Sequence, residues 1–416
     1  MTTTQYVQRM RLLLWTKFTA LAAGISAAVV LTTAPSTADP AISGLEFYTP
    51  SADLVPGPHG SVIRSRPLDS APALAGARNQ LVLYRSIDMQ GNPVAVSGTV
   101  AVPQGTPPPG GWPLISWAHG TTGVADVCAP SRDTDSTYPA HDYTTLTRQY
   151  LERWIAAGYA VAQTDYQGLG TPGPHGYLIG AAEQRAVADI ALAARDIDPA
   201  IGTRWVAIGH SQGGQAAVFT DALAAEWAPQ LDLLGAVALA PASNSGPAIE
   251  SAHLVSQLGA AALAAPVLRS AAAFVPLIVR GAQTVATIDT AQLLTPAADD
   301  LMPLADQGCI GQLRRPDQWG GLPEGQAISP TADTSGLRRV LDSNDPSALR
   351  LTHPLLVAQG RADTVVAPQL TDVMVARLTA TGNPVDYRNY PDRDHRAILE
   401  ASFADTLGWV DARFGR

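Results

Sequence analysis

Lysine occurs once in the 416 residues, at Lys17, and cysteine twice, at Cys128 and Cys309. Two thiols exclude a four-thiolate zinc site and a disulfide-dense miniature scaffold. Every cation after Lys17 is arginine, a compositional bias with no physical requirement behind it. Charge is scarce: 15% of residues are charged and 46% are hydrophobic. Such a chain buries a core rather than staying disordered. Its 27 basic residues face 36 acidic ones, a net charge of −9. A non-specific nucleic-acid binder needs the opposite balance to displace counterions from phosphates. No metal-ligand spacing, nucleotide motif, internal repeat or low-complexity tract is visible, and nothing points to a protein partner. At roughly 150 residues per domain, the length fits two or three domains, or one large domain with an insertion.

Arg9, Arg11 and Lys17 precede the apolar stretch FTALAAGISAAVVL, and Ser36-Thr37-Ala38 follows as a small-x-small cleavage pattern. Residues 1–38 therefore read as a secretory signal cleaved after Ala38. The apolar run is short for a membrane span of about 20 residues. Export to an oxidising compartment allows Cys128 and Cys309 to pair. Closing so long a loop is worth about 4–5 kcal/mol on the chain-entropy model. The alternative is two buried free thiols.

A Pro/Gly-rich entry from Phe47 to Gly60 is too broken for regular structure. Two runs with period-two patterning follow, LVLYRSID at 81–88 and PVAVSGTVAVP at 93–103. Then strands and helices alternate. PLISWAH (113–119), AVAQTDY (160–166), RWVAIG (204–209) and LLGAVALAP (233–241) read as strands. Residues 146–158, 181–195 and the segment after Ser211 read as helices. Repeated βαβ units imply an α/β class with a mostly parallel sheet covered on both faces. The alternation stops at about 245 and resumes with PLLVAQG (354–360), a helix at 368–380, VDYRNY (385–390) and a last helix from about 396. Residues 39–244 and 350–416 are thus expected to form one core. The Ala-rich block 245–349 is expected to be a helical cap inserted after the sixth strand.

Gly209-His210-Ser211-Gln212-Gly213 lies between a strand and a helix. Glycine on both sides lets the backbone bend sharply, lifting the Ser211 hydroxyl above the sheet edge. The bland alternative is a tight turn whose serine caps a helix. A serine nucleophile needs a base, and a third group to orient that base. In a strand-turn-helix arrangement the acid and then the histidine follow the serine in sequence. His253 falls in the cap and His353 precedes a strand, whereas His395 lies in the loop after the last strand. That loop is at the carboxyl edge of the sheet, beside Ser211, which makes His395 the base. Asp363, directly after PLLVAQ, is the expected acid. Asp392 and Asp394 are too near His395 in sequence and are expected to be solvated or to cap the last helix. An oxyanion hole needs two amides, here those of Gln212 and Thr121, with Thr122 next in line. The segment Asp165-Tyr166-Gln167-Gly168-Leu169-Gly170 either lines the pocket or forms a structural turn. His141 and His175 receive no role.

The motifs Phe47-Tyr48-Thr49-Pro50, His119-Gly120-Thr121-Thr122-Gly123, Cys128-Ala129-Pro130-Ser131, Asp165-Tyr166-x-Gly168-Leu169-Gly170, Gly209-His210-Ser211-Gln212-Gly213, Gly360-Arg361-Ala362-Asp363 and His395 occur in this order. As a set they resemble the secretory lipase family of α/β hydrolases over nearly the whole mature chain. The resemblance implies a triad of Ser211, Asp363 and His395, no cofactor, and a helical lid inserted before the acid. One departure is Gly-Thr-Thr-Gly at 120–123, where the family's yeast member carries an acidic residue. The expected activity is hydrolysis of fatty-acyl esters. The uncharged stretches 258–268 and 271–279 would form an acyl channel, and the cap would meet the lipid surface. The runner-up is an esterase for short or polar esters, ahead of a peptidase or acyltransferase on the same triad. A catalytically silent binding protein is the alternative outside enzymes.

Overall fold

The computed structural model describes residues 44–258, 272–323 and 325–416. The signal expected at 1–38, and residues 259–268 of the first uncharged stretch, lie outside the described residues. A nine-stranded sheet runs in the order β1-β2-β3-β5-β4-β6-β7-β8-β9. β1 (Val62–Pro67), β2 (Ala77–Ile87) and β3 (Pro93–Pro103) pair antiparallel. β3 is also antiparallel to β5 (Ala160–Thr164). From β5 onward the sheet is parallel, through β4 (Trp112–Ala118), β6 (Ile201–His210), β7 (Asp232–Leu239), β8 (Leu355–Gly360) and β9 (Val385–Tyr390).

Strand β4, WPLISWA, is buried throughout, as a strand covered on both faces must be. Its side chains alternate between two cores. Ile115 and Trp117 pack with Tyr150 and Trp154 of α1 (His141–Ala156) and Phe403 of α12 (Ala397–Phe414). Leu114 and Ala118 pack on the opposite face, toward α2 (Gly180–Ile197), α3 (Gln212–Trp227) and α11 (Pro368–Ala380). Half of the buried residues of α2 are alanine, including Ala186, Ala191 and Ala194. Small side chains let this helix lie close to the strands and to α3.

Between β7 and β8 the described residues carry two isolated bridges, Leu294–Ile328 and Gly123–Cys309, and otherwise form turns and helices. They are α4 (Ser245–Leu258), α5 (Val275–Gln283), four single turns α6–α9 (Thr290–Leu293, Pro296–Asp299, Met302–Ala305 and Ile310–Leu313) and α10 (Ser335–Ser343). These have an apolar core of their own, with Ile249, Leu277, Leu293, Trp319 and Leu341, resting on Tyr177, Leu178 and Ile179 before α2. Cys128 and Cys309 form a disulfide, joining α9 to the loop after β4 across 181 positions. Among the described residues no helix is long and apolar enough to cross a membrane.

One expectation needs correction. The helical block follows the seventh strand, because β1 did not register in the sequence. VIRSRP is an edge strand whose residues are only half-buried or exposed, so it has no clean alternation. The sheet is mostly parallel, as the repeated βαβ units imply, with β1–β3 forming an antiparallel wing. The broken segment from Phe47 to Gly60 contains only two short 3₁₀ turns, Gly44–Tyr48 and Ala52–Leu54.

Candidate active site

Ser211 follows β6, Asp363 follows β8, His395 follows β9 and Thr121 follows β4, all at the carboxyl edge of the parallel strands, where open α/β sheets place their sites. Ser211 has φ 58° and ψ −116°, a left-handed conformation rare for a residue with a side chain. Its N–H donates to the Leu239 carbonyl at 2.9 Å, and its own carbonyl accepts from Ala242 at 3.0 Å. The flanking glycines have a steric cause. A Cβ on Gly209 would lie 1.9 Å from the Gly213 carbonyl oxygen, and one on Gly213 would lie 1.9 Å from that of Ala118.

His395 Nδ1 lies 2.7 Å from Asp363 Oδ2. A carboxylate accepts, so Nδ1 carries the proton and Nε2 is left with its lone pair. The other carboxyl oxygen, Oδ1, accepts from the Val365 and Val366 amides at 2.8 and 2.9 Å. Gln359 Nε2 donates to Oδ2 at 3.1 Å. Burial opposes the Asp363 charge, yet its bond to His395 and the two amides hold the pKa below the ordinary carboxylate value. Ser211 and His395 line one cavity. Among the described residues Ser211 Oγ has no hydrogen-bond partner, and such contacts commonly tighten only when substrate is bound.

A second histidine ties this site together. His210 Nε2 donates to the His395 carbonyl at 2.7 Å, which fixes its tautomer and leaves Nδ1 to accept from the Tyr143 hydroxyl at 2.9 Å. That hydroxyl in turn accepts from the Gly120 N–H at 2.7 Å. One chain of hydrogen bonds therefore connects the loop after β4, the Ser211 turn and the His395 loop. Full burial, and then the neighbouring His395, pull the His210 pKa to about 3, so its ring stays neutral. Neither His210 nor Tyr143 was anticipated. His210 occupies the variable position of the pentapeptide, and its partners are 67 and 185 positions away.

Thr121 lines the Ser211 cavity, whereas Thr122 is fully buried. Among the described residues neither the Thr121 nor the Gln212 N–H has a hydrogen-bond partner. The Gly120 amide is already engaged by Tyr143. The Gln212 side chain is anchored beneath the site, donating to Glu183 Oε1 at 2.8 Å and to His175 Nε2 at 3.0 Å. Burial pushes the Glu183 carboxyl up to about 8 and the His175 imidazole down to about 4.

Other candidates are structural. Asp165 is buried and accepts from Ser97 Oγ at 2.6 Å and the Ser131 amide at 2.9 Å, so its loop is a held turn. Asp394 Oδ1 accepts from the Arg396 and Ala397 amides at 3.0 and 2.8 Å, capping α12, and Asp392 is exposed. His253 bonds the Pro330 carbonyl and His353 bonds Thr352, both away from Ser211. His141 bonds Asp133. Among the described residues no group of three His, Cys, Asp or Glu could hold a metal ion.

Two cavities meet at Ser211. One, of about 250 Å³, is largely apolar and is lined by Ile249, Ala252, Val275, Ile278, Val366 and Leu370. The other, of about 210 Å³, is mixed and the more polar of the two, and includes His395, Thr121, Arg314, Asp394 and Arg396. Ser211, Phe274 and Val365 line both.

This fold, with serine, histidine and carboxylate on successive loops of one sheet edge, has the layout of a serine hydrolase of the α/β type. The secretory lipase family model matches residues 142–416, and the chain belongs to that family of carboxylic ester hydrolases. It is 26% identical over 378 residues to a probable inactive lipase of Mycobacterium tuberculosis, spanning 88% of this chain and 81% of that one. Identity to lipase A of Moesziomyces aphidis is 29% over 231 residues, 52% of this chain and 48% of that protein. Candida antarctica lipase A in its closed state superposes with a TM-score of 0.69 at 18% identity, covering 89% of this chain and 85% of that one. The rice cell wall degrading esterase LipA from Xanthomonas oryzae gives 0.63 at 18% identity, covering 84% and 96%.

Proposed function

We propose that this protein is an exported serine hydrolase of fatty-acyl esters in which Ser211 is the nucleophile, His395 the base and Asp363 the orienting acid. The observation that carries the proposal is the Asp363–His395 bond at 2.7 Å beside a serine held at φ 58° in the same cavity. His395 Nε2 takes the Ser211 proton as Oγ attacks the ester carbonyl. The Gln212 and Thr121 amides receive the developing oxyanion. The alcohol leaves with the proton from His395, and water then releases the acid from the acyl-enzyme.

The apolar cavity is the acyl site in this account. Phe274, Val275 and Ile278, from the uncharged stretch 271–279, line it. The helices between β7 and β8 act as its cap. Leu254 and Leu258, 55% and 58% exposed on α4, are the residues offered to a lipid surface, while Ile249 and Ala252 of the same helix face the cavity. Export follows from the basic and apolar N-terminal segment and the Ala38 cleavage pattern.

A silent reading has one specific support, the relative named as a probable inactive lipase. Hydrolysis of p-nitrophenyl esters from acetyl to palmitoyl, with wild type beside Ser211→Ala, separates the readings. Activity rising with chain length and lost in the variant is the expected result. Activity on short esters alone makes the protein an esterase with a small roofed pocket. Equal rates in the two proteins remove the nucleophile.

A further inference from the structure

The two cavities differ in which half of an ester they can hold. In acyl transfer the leaving alcohol oxygen takes its proton from the catalytic imidazole. The alcohol half must therefore lie on the His395 side. His395 lines the more polar cavity and is not among the residues lining the apolar one. The acyl chain then takes the apolar cavity and the alcohol takes the more polar one.

Three charged side chains other than His395 line the more polar cavity. Arg396 is paired with Asp142, Nη1 to Oδ2 at 2.7 Å. Asp394 is engaged in capping α12. Arg314 is different. Among the described residues its guanidinium has no hydrogen-bond or carboxylate partner, and it lies 5.1 Å from the centroid of the Phe274 ring, at the junction of the two cavities. Its neighbour Arg315 shows the ordinary arrangement, bonded to Asp317 at 3.1 and 2.9 Å. The Arg314 side chain is exposed to the cavity mouth; desolvation, and then the nearby Arg396 charge, lower its pKa against the smaller opposing pull of Tyr177 and Asp142.

We propose that Arg314 is a specificity residue that selects esters whose alcohol half carries an oxyanion, a carboxylate or a phosphate. The proposal rests on the Ser211–His395 reading above. A planar guanidinium with free N–H groups matches such oxyanions bidentately. The cation–π contact with Phe274 restrains the guanidinium within the cavity that Ser211 and His395 line.

Two matched pairs of butyrate esters test this. One pair is the ester of 3-hydroxybenzoic acid against that of its methyl ester. The other is 1-butyryl glycerol 3-phosphate against 1-butyryl glycerol. The readout is the ratio of kcat/KM, anionic over neutral, in wild type, Arg314→Gln, Arg314→Lys and Arg315→Gln. The ratio is expected to fall about tenfold in Arg314→Gln, to fall less in Arg314→Lys and to stay unchanged in Arg315→Gln. A fall in the phosphate pair alone assigns the site to a headgroup, and a fall in the benzoate pair alone assigns it to a hydroxy acid. In wild type, added salt should raise KM for the anionic member of the pair only, a result that needs no variant to fold. An unchanged ratio in Arg314→Gln, or identical salt responses, overturns the inference and leaves the hydrolase reading intact. If wild type hydrolyses p-nitrophenyl esters but neither member of either pair, this inference falls alone; if it hydrolyses none of these esters, the hydrolase reading falls and this inference with it.

Discussion

His210 holds the carbonyl of the residue proposed as base and is itself held by Tyr143, so its removal should misplace His395. His210→Ala is expected to lower kcat at least about tenfold with little change in KM, since misplacement by about 1 Å can cost a hundredfold. His210→Gln, which keeps a donor, should recover part of the loss. Steady-state kinetics on a soluble ester checks this, and an unchanged kcat in the alanine variant would contradict it. Ser211, Asp363 and His395 were legible because each is announced locally, by paired glycines or by a position just after a strand. Their order in the chain supplied the rest. His210, Tyr143 and Arg314 were not legible. Their roles depend on contacts between loops far apart in sequence, and a tyrosine in a helix or an arginine beside another arginine carries no local mark.

At the scale of elements, β3 and α11 occupy the expected residues, 93–103 and 368–380, because their patterning and bounding residues agree. β1 escaped notice because an edge strand needs no buried face. The turn from β6 into α3 rests on close backbone approach. Gly213→Ala would set a Cβ against the Ala118 carbonyl, and overpacking of this kind costs about 1–3 kcal/mol or more. The expected result is a lower melting temperature, read by circular dichroism, with lost activity. Glu183 in α2 gives a pH-dependent prediction. Its carboxyl is raised from 4.5 to about 8 by burial, so the folded state holds the proton more tightly than the unfolded chain does. The stability this contributes is complete below pH 4.5 and is lost as the pH rises toward 8. The melting temperature of wild type should therefore fall relative to Glu183→Gln between pH 5 and 8. A constant difference between the two proteins across that range would refute the assignment.

For the molecule as a whole, the disulfide is a covalent cross-link between the loop after β4 and the helical block, added to the backbone connections at its two ends. Replacing both cysteines by alanine should lower stability by about 4–5 kcal/mol on the chain-entropy model, measured by denaturant unfolding at neutral pH. Wild type under reducing conditions should move the same way. This member of the secretory lipase family is expected to be a working enzyme whose nucleophile is Ser211. The most direct test is titration of the folded protein with a fluorophosphonate, followed by peptide mass mapping. One equivalent of covalent phosphonate on the Ser211 peptide, absent from Ser211→Ala and from denatured wild type, is the predicted result. No adduct on folded wild type, or an adduct on another residue, would contradict it.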